Sequence, residues 1–135
     1  MTTPTKDIDE AAPRIRGKAE LVEWFEAGSK PKEAWRVGTE HEKFGFIKDG
    51  RKPLPYEGDV SVKAMLEGLR DQFGWTPIEE KGYLIGLKKG GASVSLEPGG
   101  QFEQSGAPFE SKHATRNEVG QRVEEVRQIA GPRGS

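Results

Sequence analysis

The sequence predicts an α+β domain in which antiparallel strands lie beside helices. Two short apolar runs, 83–87 and 92–96, flank a Lys-Lys-Gly-Gly segment, which is typical of a β-hairpin. Three other segments carry apolar residues at helical spacing. With 135 residues, of which 33% are hydrophobic, the chain is long enough to form one core.

The N-terminal part predicts an arm followed by a helix. Residues 1–16 mix polar, charged and proline residues without periodicity, and we expect a mobile arm there. Segment 18–27 places Leu21, Trp24 and Phe25 at helical spacing and stops at Gly28, a common helix-terminating residue.

The first strand is predicted over 35–47, where aromatic and β-branched residues are frequent. Its alternation slips after Glu42, and a bulge near Lys43 or Gly45 would resolve the slip. A turn and an extended loop follow over 48–58.

Two further helices complete the pattern. Apolar residues recur at helical spacing over 62–73, with Asp59 or Ser61 as the cap and Gly74 as the end. The last helix is predicted over 111–130. Its apolar stripe is formed by Val119, Val123, Val126 and Ala130.

Glu40 and Glu42 form the first of two carboxylate clusters in segments that otherwise favour β-strand. Because side chains alternate along a strand, these two point to one face and His41 points away. Two like charges on one sheet face repel by up to about 1 kcal/mol unless a cation or a donor lies between them. One such pair most often marks a solvated sheet face, but two pairs beside glycines favour a bound hard cation.

The second cluster, Glu97, Gln101 and Glu103, surrounds a glycine pair, Gly99 and Gly100. Glycine is uncommon in strands, so its position beside carboxylates indicates a backbone that a ligand approaches closely. Carboxylate ligation is typical of Mg²⁺, whose other ligands are usually waters and the phosphates of a nucleotide. Mn²⁺ accepts the same ligands.

Other site chemistries explain these residues less completely. A zinc hydrolase is less favoured because the sequence holds two histidines, His41 and His113, and the first faces away from its neighbours. A two-carboxylate glycosidase remains open but leaves the glycines and Gln101 unexplained. The sequence has no Gly-rich phosphate loop followed by Lys and a helix, so any nucleotide is bound in another way.

The composition limits the class of partner and the compartment. The net charge of −1, from 21 basic and 22 acidic residues, predicts neither nucleic-acid nor membrane binding. The absence of cysteine excludes a disulfide framework, and the sequence shows no signal peptide or membrane span. We therefore expect a cytoplasmic protein that acts on small molecules.

Four blocks, in one order along the chain, resemble the plant-type glutamate-cysteine ligases, which also occur in proteobacteria. The resemblance covers roughly residues 24–130, and its first and last blocks are the most specific. The blocks are 38–46 (GTEHEKFGF), 53–58 (PLPYEG), 73–75 (FGW) and 95–107 (SLEPGGQFEQSGA).

The resemblance implies a carboxylate-amine ligase related in fold to glutamine synthetase, with a curved antiparallel sheet flanked by helices. It implies that ATP, as co-substrate, phosphorylates the γ-carboxylate of L-glutamate, and that L-cysteine then attacks to give γ-glutamylcysteine, the first step of glutathione biosynthesis. It implies Mg²⁺ or Mn²⁺ on Glu40, Glu42, Glu97 and Glu103. The first three of these glutamates are the expected catalytic residues, with Glu97 alternatively contacting substrate, and the expected substrate-binding residues are Gly99, Gly100 and Gln101.

The departures from the family pattern predict an incomplete enzyme. Family members are considerably longer, so residues 17–130 are interpreted as the N-terminal portion of the catalytic domain, and 131–135 as a non-helical tail left by truncation. The alternative is a non-catalytic fragment of such a ligase that binds metal or nucleotide. Exposed sheet edges would favour self-association of either form.

Overall fold

The computed structural model describes residues 14–133, so most of the arm predicted at 1–16 lies outside the described residues. The chain divides into a small unit that ends at Trp35 and a larger unit that begins at Arg36. The start of the catalytic portion at residue 17 stays a prediction.

The small unit contains the first helix with the predicted bounds, α1 (Lys18–Ala27). The backbone N–H of Gly28 closes the helix on the carbonyls of Trp24 and Phe25, at 3.3 and 3.1 Å. No residue of α1 is buried, and both aromatic side chains are 77% exposed. The apolar positions of α1 therefore form no core within this unit.

The larger unit contains the strands β1 (Glu40–Phe44), β2 (Phe46–Ile47), β3 (Lys52–Pro53), β4 (Thr76–Glu80), β5 (Tyr83–Lys89), β6 (Ala92–Glu97) and β7 (Gln101–Ser105). Five of them form an antiparallel sheet in the order β1-β7-β6-β5-β4, and β2 pairs with β3 in a separate two-stranded ribbon. The predicted hairpin is confirmed as β5 and β6.

The long first strand of the prediction is interrupted at Gly45, which separates β1 from β2. A Cβ at Gly45 would lie 2.3 Å from Leu54 Cδ1, so the loop after the ribbon packs directly on this backbone. The sequence analysis did not predict β4, because Pro77 and two glutamates lower its strand propensity. An edge strand such as β4 tolerates proline, since one side of its backbone needs no partner.

Helix α2 (Val62–Phe73) has the predicted bounds and end signals. The Ser61 hydroxyl accepts the N–H of Ala64 at 3.1 Å, and Gly74 ends the helix in the left-handed region with φ of 69°. The helix buries one side against β5 and against the last helix, α3 (Lys112–Arg133).

The core lies between one face of the sheet and the helices α2 and α3 (Lys112–Arg133). Leu66 of α2, Leu87 of β5 and Ile129 of α3 have no exposed surface, and Val94 of β6 joins them at 7%. Side chains of the opposite parity, including Ser93 and Ser95, lie on the other face of the sheet.

Helix α3 differs from its prediction in the face that it buries. The predicted valine stripe is only partly buried, whereas the most buried positions of the described helix are Thr115, Glu118, Arg122, Glu125 and Ile129. This polar stripe is stable in the interior because its carboxylates and guanidinium are hydrogen-bonded to neighbouring groups.

The predicted non-helical tail at 131–135 is wrong for its first residues, because α3 continues through Gly131 and Pro132 to Arg133. Proline lacks the N–H that would bond to the carbonyl four residues before it, so α3 has one hydrogen bond fewer near its end. Residues 134–135 lie outside the described residues. Within the described residues, none of the three helices combines the length and apolar character needed to cross a bilayer.

We expect Gly68→Ala to destabilise the larger unit because α2 and α3 touch at this glycine. A Cβ at Gly68 would lie 2.7 Å from Ile129 Cγ2, and overpacking of this kind costs about 1–3 kcal/mol. The matched control is Gly120→Ala, whose Cβ meets nothing within 4 Å. This substitution should raise the free energy of unfolding by up to about 1 kcal/mol, because alanine has the higher helix propensity. Urea unfolding followed by circular dichroism measures both, and a Gly68→Ala variant that gains as much stability as Gly120→Ala would contradict the close contact.

Candidate functional site

Strand pairing places Glu42, Glu103 and Ser95 in one row across β1, β7 and β6. Directly opposed residues of antiparallel strands share a face, with Cβ atoms about 5 Å apart. The structure therefore brings together one glutamate from each of the two sequence clusters.

The other two predicted metal ligands flank this row. Glu40 is opposite Ser105, two positions beyond Glu103, and Glu97 is opposite Gln101, two positions before it. Both are diagonal neighbours of Glu103, at a typical separation of about 7–8 Å. We call Glu40, Glu42, Glu97 and Glu103 the carboxylate face, with Glu103 at its centre.

The carboxylate face lies on the side of the sheet opposite the core. Glu40 and Glu42 are exposed, and Glu97 and Glu103 are half-buried. Hydroxyl groups line the same face, and the Ser105 Oγ donates to Glu103 Oε1 at 3.2 Å. The register also puts Lys88 of β5 on this face, opposite Ser93. This solvent-accessible surface of carboxylates, hydroxyls, the Gln101 amide and the Lys88 amine, with the exposed ring of Phe44 at its edge, suits a polar, charged ligand.

The donor chemistry of the carboxylate face fits a hard divalent cation, since all its charged oxygens are carboxylates. In the part of the chain that the structure describes, no three histidine or acidic side chains are close enough together to enclose a metal ion. The four glutamates therefore share one face of the sheet without being gathered around one point, and metal binding by them stays a prediction.

The glycines at the β6–β7 turn have a local structural reason. Gly99 and Gly100 have φ of 83° and 80°, a region that favours glycine, and the Gly100 N–H donates to the Glu97 carbonyl at 3.2 Å. A Cβ on either would meet nothing within 4 Å, so the space above the turn is open. The turn aligns Glu97 with Gln101, and direct contact of these glycines with substrate stays a prediction.

His41 lies on the opposite face, as its parity predicts. Together with Lys43 and Gln104 it lines an apolar pocket beside Met65 and Val126 of the helices. His113 is exposed at the start of α3. Neither histidine shares the carboxylate face.

The sequence analysis missed a contact between α3 and the two strands that carry most of the carboxylates. Glu118 of α3 accepts the backbone N–H of Ala107, two residues after β7, and Thr115 Oγ1 lies 3.4 Å from the Val37 carbonyl, three residues before β1. The polar residues that recur at helical spacing along α3 could have indicated this contact. The valines beside them form a more familiar apolar stripe, and for this reason the contact is not predicted from the sequence.

Comparison with known proteins gives a family match over residues 36–135, to glutamate-cysteine ligase family 2 (GCS2). Glutamate–cysteine ligase A, chloroplastic, of Oryza sativa subsp. japonica is 47% identical over 117 residues, which are 87% of this chain and 23% of that protein. The chloroplastic enzyme of Nicotiana tabacum is 44% identical over 131 residues, 97% of this chain and 24% of that protein. The chloroplastic enzyme of Arabidopsis thaliana is 41% identical over 117 residues, 87% of this chain and 22% of that protein.

The chain thus spans about a quarter of the length of the curated relatives it matches. All three relatives are named as chloroplastic, which contradicts the cytoplasmic location expected from the sequence. That expectation depended on the absence of cysteine and of a secretory signal, and neither property distinguishes the cytoplasm from a plastid.

Proposed function

Because this chain belongs to glutamate-cysteine ligase family 2, we propose that its protein catalyses the ATP-dependent ligation of L-glutamate to L-cysteine, giving γ-glutamylcysteine for glutathione biosynthesis. The observation that carries the proposal is the carboxylate face, on which two separate sequence clusters meet across β1, β7 and β6. The specific fold proposed is that of the glutamine synthetase-like ligases. An antiparallel sheet with helices on one face supports this fold and leaves the other face for ligands.

The proposed chemistry has two steps. A γ-carboxylate oxygen of glutamate attacks the γ-phosphorus of ATP, which forms an acyl phosphate and releases ADP. The amine of cysteine then attacks the acyl carbon, phosphate leaves, and the amine loses a proton. Mg²⁺ or Mn²⁺, when bound, would neutralise the negative charge of the transferring phosphoryl group.

The residues of this chain contribute binding and orientation. Glu40, Glu42, Glu97 and Glu103 are the proposed metal ligands, and Glu42 and Glu103, which are directly opposed, are the pair that would share one ion. Gln101 lies beside Glu97 on the same face, and its amide both donates and accepts hydrogen bonds, which suits a substrate carboxylate or amine.

A second candidate is a module that binds metal or nucleotide without catalysis. Both candidates use the carboxylate face, and they differ in whether a product is formed. Self-association also stays a prediction, and the edge strands β1 and β4 of the described sheet are the surfaces at which it would occur.

The two candidates are distinguished by measuring product. This chain and a version extended at its C-terminus to the length of its relatives are each incubated with Mg²⁺, ATP, glutamate and cysteine, and activity is expected of the extended version; γ-glutamylcysteine and phosphate are quantified by mass spectrometry and a colorimetric assay. We expect equal amounts of both products, and none when any one substrate is omitted. Metal binding without product would favour the non-catalytic module, and product that does not depend on ATP would contradict the proposed reaction.

A further inference from the structure

We propose that Glu118, on α3, is a positioning residue for the carboxylate face: it holds the ends of β1 and β7 together behind Glu40 and Glu103. The inference rests on the proposed function of that face as the metal site. Glu118 itself lies at the end of the strand pair, on the side where α3 packs.

The first step is the attachment of α3 to β7. Glu118 is 8% exposed, and its two carboxylate oxygens accept the backbone N–H of Ala107 at 3.2 and 3.1 Å. A buried carboxylate is costly unless it is hydrogen-bonded, and a donor bonded to a charged acceptor forms one of the stronger hydrogen bonds. Ala107 is therefore held firmly two residues beyond Ser105.

The second step is the close approach that Gly106 permits. A Cβ at Gly106 would lie 2.6 Å from Glu118 Oε2 and 3.1 Å from Thr39 Oγ1. No larger residue fits without displacing the carboxylate. The glycine thus lets α3 approach the backbone of both strands at one point.

The third step connects this point to β1. The Gly106 N–H donates to the Thr39 carbonyl at 2.7 Å, and Thr39 directly precedes Glu40. Beyond it, Val37 and Phe109 exchange two backbone hydrogen bonds of 2.7 and 2.9 Å. The segment that Glu118 holds is thus a continuation of the ladder that aligns Glu40 with Ser105.

Ser105 links the segment that Glu118 holds to Glu103, the central glutamate of the carboxylate face. Ser105 Oγ donates to Glu103 Oε1 at 3.2 Å, and Ser105 directly precedes Gly106 in the sequence. A displacement of Ala107 would move Ser105 and change both the direction of Glu103 and its spacing from Glu40. Groups that orient metal ligands in this indirect way typically change metal affinity by about 10–100-fold when removed.

The test compares Mn²⁺ affinity among variants of the full chain by electron paramagnetic resonance, at a temperature where circular dichroism shows every variant folded. We expect Glu118→Ala to weaken Mn²⁺ binding by about 10-fold. Glu118→Gln keeps an oxygen acceptor for Ala107 and should bind within about twofold of the parent, because the hydrogen bond is retained. Gly106→Ala should resemble Glu118→Ala, because its Cβ displaces the carboxylate.

The matched control is Glu125→Gln, which changes an equally buried glutamate on the same stripe of α3, at 5% exposure. Its partners are Trp75, Gln121 and Arg122, so it should lose stability and keep Mn²⁺ affinity. Parent-like affinity in Glu118→Ala, or an equal loss in Glu125→Gln, would overturn the positioning role while the metal site stands. No Mn²⁺ binding by the parent would overturn the metal site and the positioning role with it.

Discussion

Replacing Glu103 with Gln should weaken Mn²⁺ binding by about 100-fold or more while leaving the metal-free protein at least as stable as the parent. Glu103 is the centre of the carboxylate face, opposite Glu42 and diagonal to Glu40 and Glu97. A unit charge about 4 Å from another contributes about 4 kcal/mol at an effective dielectric constant of 20, and twice that beside a divalent ion, before hydration is deducted. A 100-fold loss corresponds to about 2.7 kcal/mol, well within that limit.

Glu103→Gln should lower the metal affinity but raise the stability of the metal-free protein, and both effects follow from the same geometry. Without metal, the carboxylates of the face repel one another, so removing one charge should stabilise the sheet by up to about 1 kcal/mol. Metal titration measures the affinity, and urea unfolding in the presence of a chelator measures the stability. Weaker binding together with lower stability would indicate that the substitution only damages the fold.

The control for Glu103→Gln is Glu79→Gln. Glu79 is an exposed glutamate of the same sheet, on edge strand β4, three strands from β7. It should bind Mn²⁺ like the parent. A loss of affinity in this variant comparable to that of Glu103→Gln would show that the metal responds to net charge rather than to the carboxylate face.

Arg122→Ala should destabilise the larger unit by about 3–5 kcal/mol, because it leaves the buried carboxylate of Glu125 without its cation. Arg122 Nη1 donates to both oxygens of Glu125 at 2.9 Å, and the side chains are only 10% and 6% exposed. The guanidinium carbon also lies 4.6 Å from the centre of the Trp75 ring, whose Nε1 donates to Glu125 at 3.4 Å. One substitution therefore removes an ion pair and a cation–π contact.

The matched control is Arg127→Ala, on the exposed side of the same helix. Arg127 Nη1 is 3.9 Å from Glu124, with side chains 74% and 58% exposed, and such pairs contribute about 0–1 kcal/mol. Urea unfolding, followed by circular dichroism and tryptophan fluorescence, compares the two variants. Equal losses would contradict the buried cluster as a major source of stability.

The double variant Arg122→Met/Glu125→Leu separates the cost of leaving a buried carboxylate unpaired from the contribution of the ion pair itself. It removes both charges together, so no buried carboxylate is left unpaired, and it should be markedly more stable than Arg122→Ala. A double variant less stable than the single one would mean that the ion pair itself stabilises the fold.

The elements that the sequence predicted well are those whose signals are local. The cap at Ser61 and the end at Gly74 fix α2 within a few residues, and the shared face of Glu40 and Glu42 follows from strand parity alone. The pairing of β1 with β7 could not be derived from spacing, since Glu103 lies 61 positions after Glu42. It depends on the ladder that the folded chain forms.

The elements that failed depend on tertiary contacts. Pro77 and its acidic neighbours make β4 a poor strand in isolation, and its pairing with β5 is what makes it one. The predicted stripe of α3 is half-buried, and its Val126 and Ala130 pack against the core, but the most buried positions lie beside it, because the interior near Ala107 and Trp75 offers hydrogen-bonding groups that favour Glu118 and Glu125. Helix periodicity does not contain that information.

The most direct measurement is Mn²⁺-induced paramagnetic broadening of backbone amide resonances in a ¹⁵N-labelled full chain, with Mg²⁺ as the diamagnetic reference. We expect the strongest broadening at Glu42 and Glu103, weaker broadening along the facing positions of β6, and little at the core-side residues of α2. Selective broadening centred elsewhere, or none at Mn²⁺ concentrations that saturate binding, would contradict the carboxylate face as the metal site.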